Sequence, residues 1–77
     1  MNYKDALAKA KELDSKLTAM SFDWGARVYV KHEDGTELDF NYAFLQKDGD
    51  WVYIFTEHHG FHVYHLDDLE KVVSYKE

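Results

Sequence analysis

The sequence predicts an α+β fold, in which an N-terminal amphipathic helix is followed by an antiparallel β-meander of four to five strands. The first twenty residues have a helical apolar period, and the chain after Gly25 alternates apolar and polar residues. Three turn signals, Asp34-Gly35, Asp48-Gly49 and His59-Gly60, then divide it into short strand-like runs. Because 77 residues give room for only one compact core, we expect a single domain spanning residues 1–77.

The predicted helix spans residues 2–20, with Asn2 as its N-cap and Asp5 in the first turn, where the helix dipole favours an acid. Apolar residues recur at steps of three and four and form one stripe: Tyr3, Ala6, Ala10, Leu13, Leu17 and Met20. A coiled-coil seam could use the same spacing, but the stripe lasts under three heptads. We therefore expect the helix to pack on the domain's own sheet.

The predicted strands are joined by short loops, and such loops connect neighbouring antiparallel strands. The segment from His65 to Glu70 is rich in Asp and is expected to form a turn of 3₁₀ helix before the last strand. The strands are expected at about 26–32, 36–46, 51–57, 61–66 and 72–75.

Strand register follows from placing apolar side chains opposite one another. In the first hairpin a three-residue loop, 33–35, with Gly35 in the left-handed conformation sets Val30 against Leu38 and Val28 against Phe40. The third turn stays ambiguous by one residue.

In the second hairpin a two-residue Asp48-Gly49 turn pairs Phe44 with Tyr53 and Tyr42 with Phe55. The main core face then collects Val28, Val30, Leu38, Phe40, Tyr42, Phe44, Tyr53 and Phe55. The opposite face carries Ala43, Leu45, Val52 and Ile54, which the helix would partly cover. We expect the first set to fill a small barrel.

The order of elements resembles the SH3-like small barrels, and among them most the Sm-like arrangement, which also begins with a helix. The nearest local likenesses are Asp34-Gly35 in the first hairpin and the runs 61–64 and 72–73 near the end. The resemblance implies a curled, barrel-like sheet. The Sm-like polar loop that holds RNA bases has no counterpart here, so no RNA-binding residue is carried over.

Composition and charge narrow the function classes. The chain has no Cys, and its core must be built from two Trp, six Tyr and five Phe. Residues 1–20 carry four Lys against three acids, whereas residues 21–77 carry five Lys or Arg against twelve acids, and this excess repels phosphate. We expect no direct binding of nucleic acid, no membrane association and a cytoplasmic location.

These features favour a protein-binding module, whose partner would present a basic surface because charge steers encounter and aromatic residues supply hot spots. Candidate contacts are Trp24, Trp51, Tyr29, Tyr64, Asp48, Asp50, Asp67 and Asp68. Short acidic chains without Cys or enzyme motifs are common among phage-encoded inhibitors, and this chain is similar to them in size and composition. An inhibitor that mimics nucleic acid is a narrower form of this hypothesis.

Two alternatives stay open. The histidine-rich run 57–68 could be a metal-binding or pH-sensing site, with His58, His59, His62 and His65 as the candidate ligands. Strand periodicity weakens a metal site, because His62 and His65 would point to opposite faces. A self-associating structural domain is the other alternative, since strand 51–57 is apolar on both faces.

Catalysis has little support in the sequence. There is no Cys nucleophile, no glycine-rich phosphate loop and no Ser in a nucleophile-elbow setting. The adjacent Asp67 and Asp68 suit the start of a helical turn better than acid–base chemistry. We therefore expect neither enzyme activity nor a cofactor.

Overall fold

A computed structural model describes residues 1–20 and 22–76. It has one N-terminal helix, α1 (Tyr3–Ala19), and a five-stranded antiparallel sheet. The strands are β1 (Ala26–His32), β2 (Glu37–Asp48), β3 (Trp51–Thr56), β4 (Phe61–His65) and β5 (Leu69–Lys76). A 3₁₀ turn, Leu66–Asp68, joins β4 to β5 where the Asp-rich turn was predicted.

The sheet has the strand order β4-β3-β2-β1-β5. Over the described residues no ladder joins β4 to β5, so the sheet is open. The predicted α+β class with an N-terminal helix and an antiparallel meander is therefore confirmed, whereas closure into an SH3-like barrel is not.

Helix α1 is capped by Asn2, whose side chain accepts a hydrogen bond from the amide of Asp5 at 2.9 Å. Ala6 and Ala10 are fully buried against aromatic side chains of β3, because their small size lets the helix backbone approach the sheet. Leu13 and Leu17 extend this contact. Within the described residues no helix is long and apolar enough to cross a membrane.

The first hairpin has the predicted register, with Val28 opposite Phe40 and Val30 opposite Leu38. The amide of His32 donates to the carbonyl of Thr36 at 2.8 Å and closes the three-residue loop. Gly35 has a φ of 93°, a conformation that residues with a Cβ rarely adopt.

The predicted register of the second hairpin is wrong by two residues. Phe44 lies opposite Phe55, and the last pair is Asp48 with Trp51, so that the turn consists of Gly49 and Asp50. Gly49 has a φ of 60° and occupies the first central position, where a type II′ turn requires glycine. In the predicted Asp48-Gly49 turn, Gly49 would occupy the second central position instead.

The predicted core face is also wrong, because β2 contains a bulge. Ala26 pairs with Ala43 but Val28 pairs with Phe40, so Asn41 and Tyr42 together oppose a single residue of β1. Because of the extra residue, the side chains in the second half of β2 point to the opposite faces from those expected in a regular strand. The core thus splits into an inner cluster with Val28, Val30, Ala43, Val52, Ile54 and Leu69 and a helix-side cluster with Ala6, Ala10, Trp51, Tyr53 and Phe55.

The inner face of the sheet curls on itself. The ring of His32 in β1 meets the ring of Tyr64 in β4 at 4.9 Å between centroids, although two strands separate β1 from β4. Phe40 and His62 meet across the same face at 4.8 Å. The whole of β3 is buried as a result, with the helix on one side and the curled sheet on the other.

Candidate functional site

Three chain connections meet at one end of the curled sheet. The amide of Glu33, in the β1–β2 loop, donates to the carbonyl of Asp68 at 3.0 Å. The amide of Leu66 donates to the carbonyl of Asp50, in the β2–β3 turn, at 2.7 Å. The short 3₁₀ turn therefore links both hairpin loops and fixes their relative positions.

This end of the molecule concentrates negative charge. We call it the acidic end, defined by the carboxylates of Glu33, Asp34, Asp50, Asp67 and Asp68. All five residues are exposed. In the described part of the chain no Lys or Arg lies at ion-pair distance from any of them. The Nδ1 atom of His65 lies 3.7 Å from the Asp67 carboxylate and accepts a hydrogen bond from the Asp67 amide.

Local hydrogen bonds keep one of these carboxylates ionised. The amide of Thr36 donates to Asp34 at 2.9 Å, and this bond lowers the pKa of Asp34 below its usual range. The carboxylate also holds the β1–β2 loop in its bent conformation.

Asp48 has a different environment, although it adjoins the β2–β3 turn. Its carboxylate accepts from the ammonium group of Lys9 at 3.2 Å and from the hydroxyl of Tyr53 at 3.0 Å. These two bonds lower the pKa of Asp48. Its charge is thus neutralised against α1, so Asp48 joins helix and sheet and is not part of the acidic end.

An aromatic pair lies beside the acidic end. Tyr64 packs edge-on against His32, and both line a shallow cleft of about 350 Å³ together with Glu33, Asp34 and Asp68. Partial burial raises the pKa of Tyr64, which stays neutral. Of the aromatic residues predicted as contacts, Tyr64 is thus the one that lines a cleft together with a predicted carboxylate, Asp68.

The other predicted aromatic contacts lie elsewhere. Trp51 is only 9% exposed, and its indole N–H donates to the carbonyl of Met1 at 3.1 Å beneath the start of α1. Trp24 packs on the helix-side cluster. Tyr29 lies on the outer face of β1, where its hydroxyl donates to Glu37. Trp24 and Tyr29 lie apart from the acidic end, whereas Trp51 adjoins Asp50 in the chain but is buried beneath the helix.

The histidines do not converge. Across residues 1–20 and 22–76, no three His, Asp or Glu side chains are placed to share a metal ion. His62 lies on the inner face against Phe40, whereas His65 packs against Trp51 on the helix side. His58 contacts Glu57 at 2.8 Å.

A second concave region lies at the bulge, a feature that the sequence did not predict. Tyr42 has a φ of 53°, a left-handed conformation that costs a residue with a Cβ roughly 1–2 kcal/mol. The residue is 59% exposed, and it borders a cavity of about 280 Å³ that we call the corner cleft, lined in part by Phe40, Asn41, Tyr42, His58 and His59.

The aromatic alternation of β2 hid this bulge. Phe40, Tyr42 and Phe44 follow one another at steps of two, as they would on one face of a regular strand. The polar Asn41 fits the same pattern. One observation argued against a regular strand, because the regular pattern leaves a second set of apolar side chains on the opposite face of β2.

No known protein family matches the chain, and no curated protein or solved structure is significantly similar to it. The function therefore has to be argued from the geometry of the described residues.

Proposed function

We propose that the chain is a non-enzymatic protein-binding module whose acidic end docks on a basic surface of a partner protein. The observation that carries this proposal is the pair of main-chain hydrogen bonds from Glu33 to Asp68 and from Leu66 to Asp50. They hold three connections, and hence the exposed carboxylates, in one arrangement before any partner arrives. A preorganised surface loses less entropy on binding than a set of mobile loops.

Charge supports the choice of partner. The formal net charge is −6, and the acidic end is exposed without compensating Lys or Arg among the described residues. Such a surface accelerates encounter with a positively charged partner and repels the phosphates of nucleic acid. The cleft beside Tyr64 and His32 offers an apolar wall against which a Lys or Arg side chain of the partner can lie.

The narrower form of the proposal is an inhibitor that imitates nucleic acid. Several carboxylates grouped at one end of a small rigid domain offer a nucleic-acid-binding protein a substitute for phosphates. In this form the partner would itself bind DNA or RNA, and the two ligands would compete for one basic surface.

Self-association is less favoured than the sequence suggested. That hypothesis depended on an uncovered apolar face of β3, and every residue of β3 is buried within the chain.

Affinity capture from the source cells, with and without nuclease, tests the proposal. The expected result is a partner that stays bound after nuclease treatment and dissociates as salt rises. The triple variant Asp50→Asn, Asp67→Asn, Asp68→Asn should lose the partner. A matched variant with the same change in charge, Glu12→Gln, Asp14→Asn, Asp23→Asn, should keep it. Equal capture by both variants would contradict the proposal.

A further inference from the structure

The corner cleft lies between the bulge of β2 and the β3–β4 loop and does not include the acidic end. Its loop is held in place by Thr56, whose hydroxyl donates to the carbonyl of Gly60 at 2.7 Å and accepts from the amide of His59 at 2.9 Å. The cleft is therefore a formed feature of the fold, with fixed walls on both sides.

The residue at the bulge, Tyr42, is unexpected for its backbone conformation. A positive φ at a bulge is a position for glycine, or for asparagine, because other residues are strained there. Tyr42 occupies it as an exposed residue, and the centroid of the His58 ring lies 6.4 Å from that of the tyrosine ring. A glycine would make the same corner without strain, so the fold alone does not account for the tyrosine.

The lining indicates an uncharged, flat ligand. Four of its side chains carry rings, Phe40, Tyr42, His58 and His59. Asp39 also lines the cleft, but its carboxylate is paired with the guanidinium group of Arg27 at 2.8 Å. A volume of about 280 Å³ suits a single ring system and is too small for a large cofactor.

One polar group can orient such a ligand. Asn41 is an exposed residue that lines the cleft, and its carboxamide makes no hydrogen bond within the described part of the chain. It offers one donor and one acceptor side by side, the pattern that matches the N6 and N7 edge of adenine. Aromatic rings beside it provide stacking surfaces for the base.

We propose that the corner cleft binds a purine base of the adenine type, which stacks on Tyr42 and is read by the amide of Asn41. This site is separate from the acidic end, and the proposal does not depend on the function proposed for that end. The net charge of −6 favours a free base or nucleoside over a polyphosphate.

Titration of the ¹⁵N-labelled protein with adenosine tests this proposal by NMR. The expected result is saturable shifts of the amides of residues 41–42 and 57–59, with weaker binding of ATP than of adenosine. N6,N6-dimethyladenosine lacks the N6 donor and should bind at least several-fold more weakly. Absence of shifts up to the solubility limit, shifts confined to other residues, or equal shifts with ribose alone would overturn it.

Tyr42→Gly separates a binding role from a structural one. It should keep a thermal midpoint at or above that of the wild type and lose adenosine binding by at least tenfold, whereas Tyr3→Ala, an exposed tyrosine outside the cleft, should bind normally. Tyr42→Asn serves as a second variant if Tyr42→Gly unfolds. Unchanged adenosine affinity in a folded Tyr42 variant would contradict the proposal.

Discussion

The amide of Glu57 donates to the carbonyl oxygen of Tyr42 at 3.0 Å. This bond ties the start of the β3–β4 loop to the corner of β2, at the point where β2 turns over and the core divides into two clusters. The strained backbone of Tyr42 is thus held by a neighbouring loop, and the corner is a defined element of the fold.

The left-handed conformation of Tyr42 predicts a specific order of stability among variants. Tyr42→Asn should leave the free energy of unfolding unchanged or raise it, because asparagine tolerates positive φ. Tyr42→Val should lower it by about 1–3 kcal/mol, since a β-branched residue is strained most at this position. Urea denaturation measures both. A Val variant as stable as the Asn variant would show that the backbone of residue 42 is not left-handed.

The close approach of α1 to β3 predicts that the buried positions of the helix tolerate only small side chains. Ala10→Leu should destabilise the protein by about 1–3 kcal/mol, because Ala10 is fully buried against the aromatic cluster and a larger side chain must displace it. Ala8→Leu is the matched control, since Ala8 is exposed on the same helix. If both variants unfold at the same urea concentration, the helix does not pack through this face.

Burial of His62 predicts a loss of stability in mild acid. Burial, with a smaller contribution from the nearby His59, lowers the pKa of His62 below its usual value of 6.5, and its Nε2 atom is buried without a hydrogen-bond partner in the described chain. The unfolded state therefore binds this proton more readily than the folded state. Stability should fall as pH drops through 6.5.

The residues around His62 allow a clean test. Phe40 and Tyr64 pack on its ring, and neither is charged at this pH. The thermal midpoint of the wild type should be lower at pH 5.5 than at pH 7.5, and His62→Phe should reduce that difference. A midpoint that does not change between these pH values in the wild type would contradict the assignment.

The raised pKa of Tyr53 predicts a second loss of stability, in strong alkali. Burial and the hydrogen bond to the Asp48 carboxylate raise the pKa of Tyr53 from 10.0 to about 12. Because the folded state holds this proton more tightly, its contribution is complete below pH 10 and is lost as pH rises toward 12. Unfolding midpoints from pH 9 to pH 11.5 should fall less steeply in Tyr53→Phe. Identical slopes would mean that the phenol is not protected.

The sequence was sufficient for features that depend on local chemistry. The N-cap at Asn2, the left-handed Gly35 and the register between Val28 and Phe40 all follow from short-range rules, and the structure has each of them. The acidic end was foreseen only in part. Asp50, Asp67 and Asp68 were identified as candidates, but their meeting with Glu33 depends on hydrogen bonds between loops far apart in sequence.

The division of the core and the corner cleft, which the sequence did not predict, depend on one extra residue in β2. The regular spacing of Phe40, Tyr42 and Phe44 conceals the bulge, and a shift by one residue reverses every later side chain of the strand. The prediction therefore placed residues of both core clusters on a single face of the sheet. It also packed the helix against the wrong face. The corner cleft follows from the same bulge and could not be found without it.

An NMR footprint of the captured partner on the ¹⁵N-labelled chain tests whether the acidic end is the docking surface. We expect amides of residues 33–34, 50 and 64–68 to shift or broaden on binding, and those of exposed α1 positions to stay unchanged. The footprint should weaken as salt rises. Perturbations confined to α1 or to the outer face of β1 and β5 would show that the partner binds elsewhere and would contradict the assignment of the acidic end.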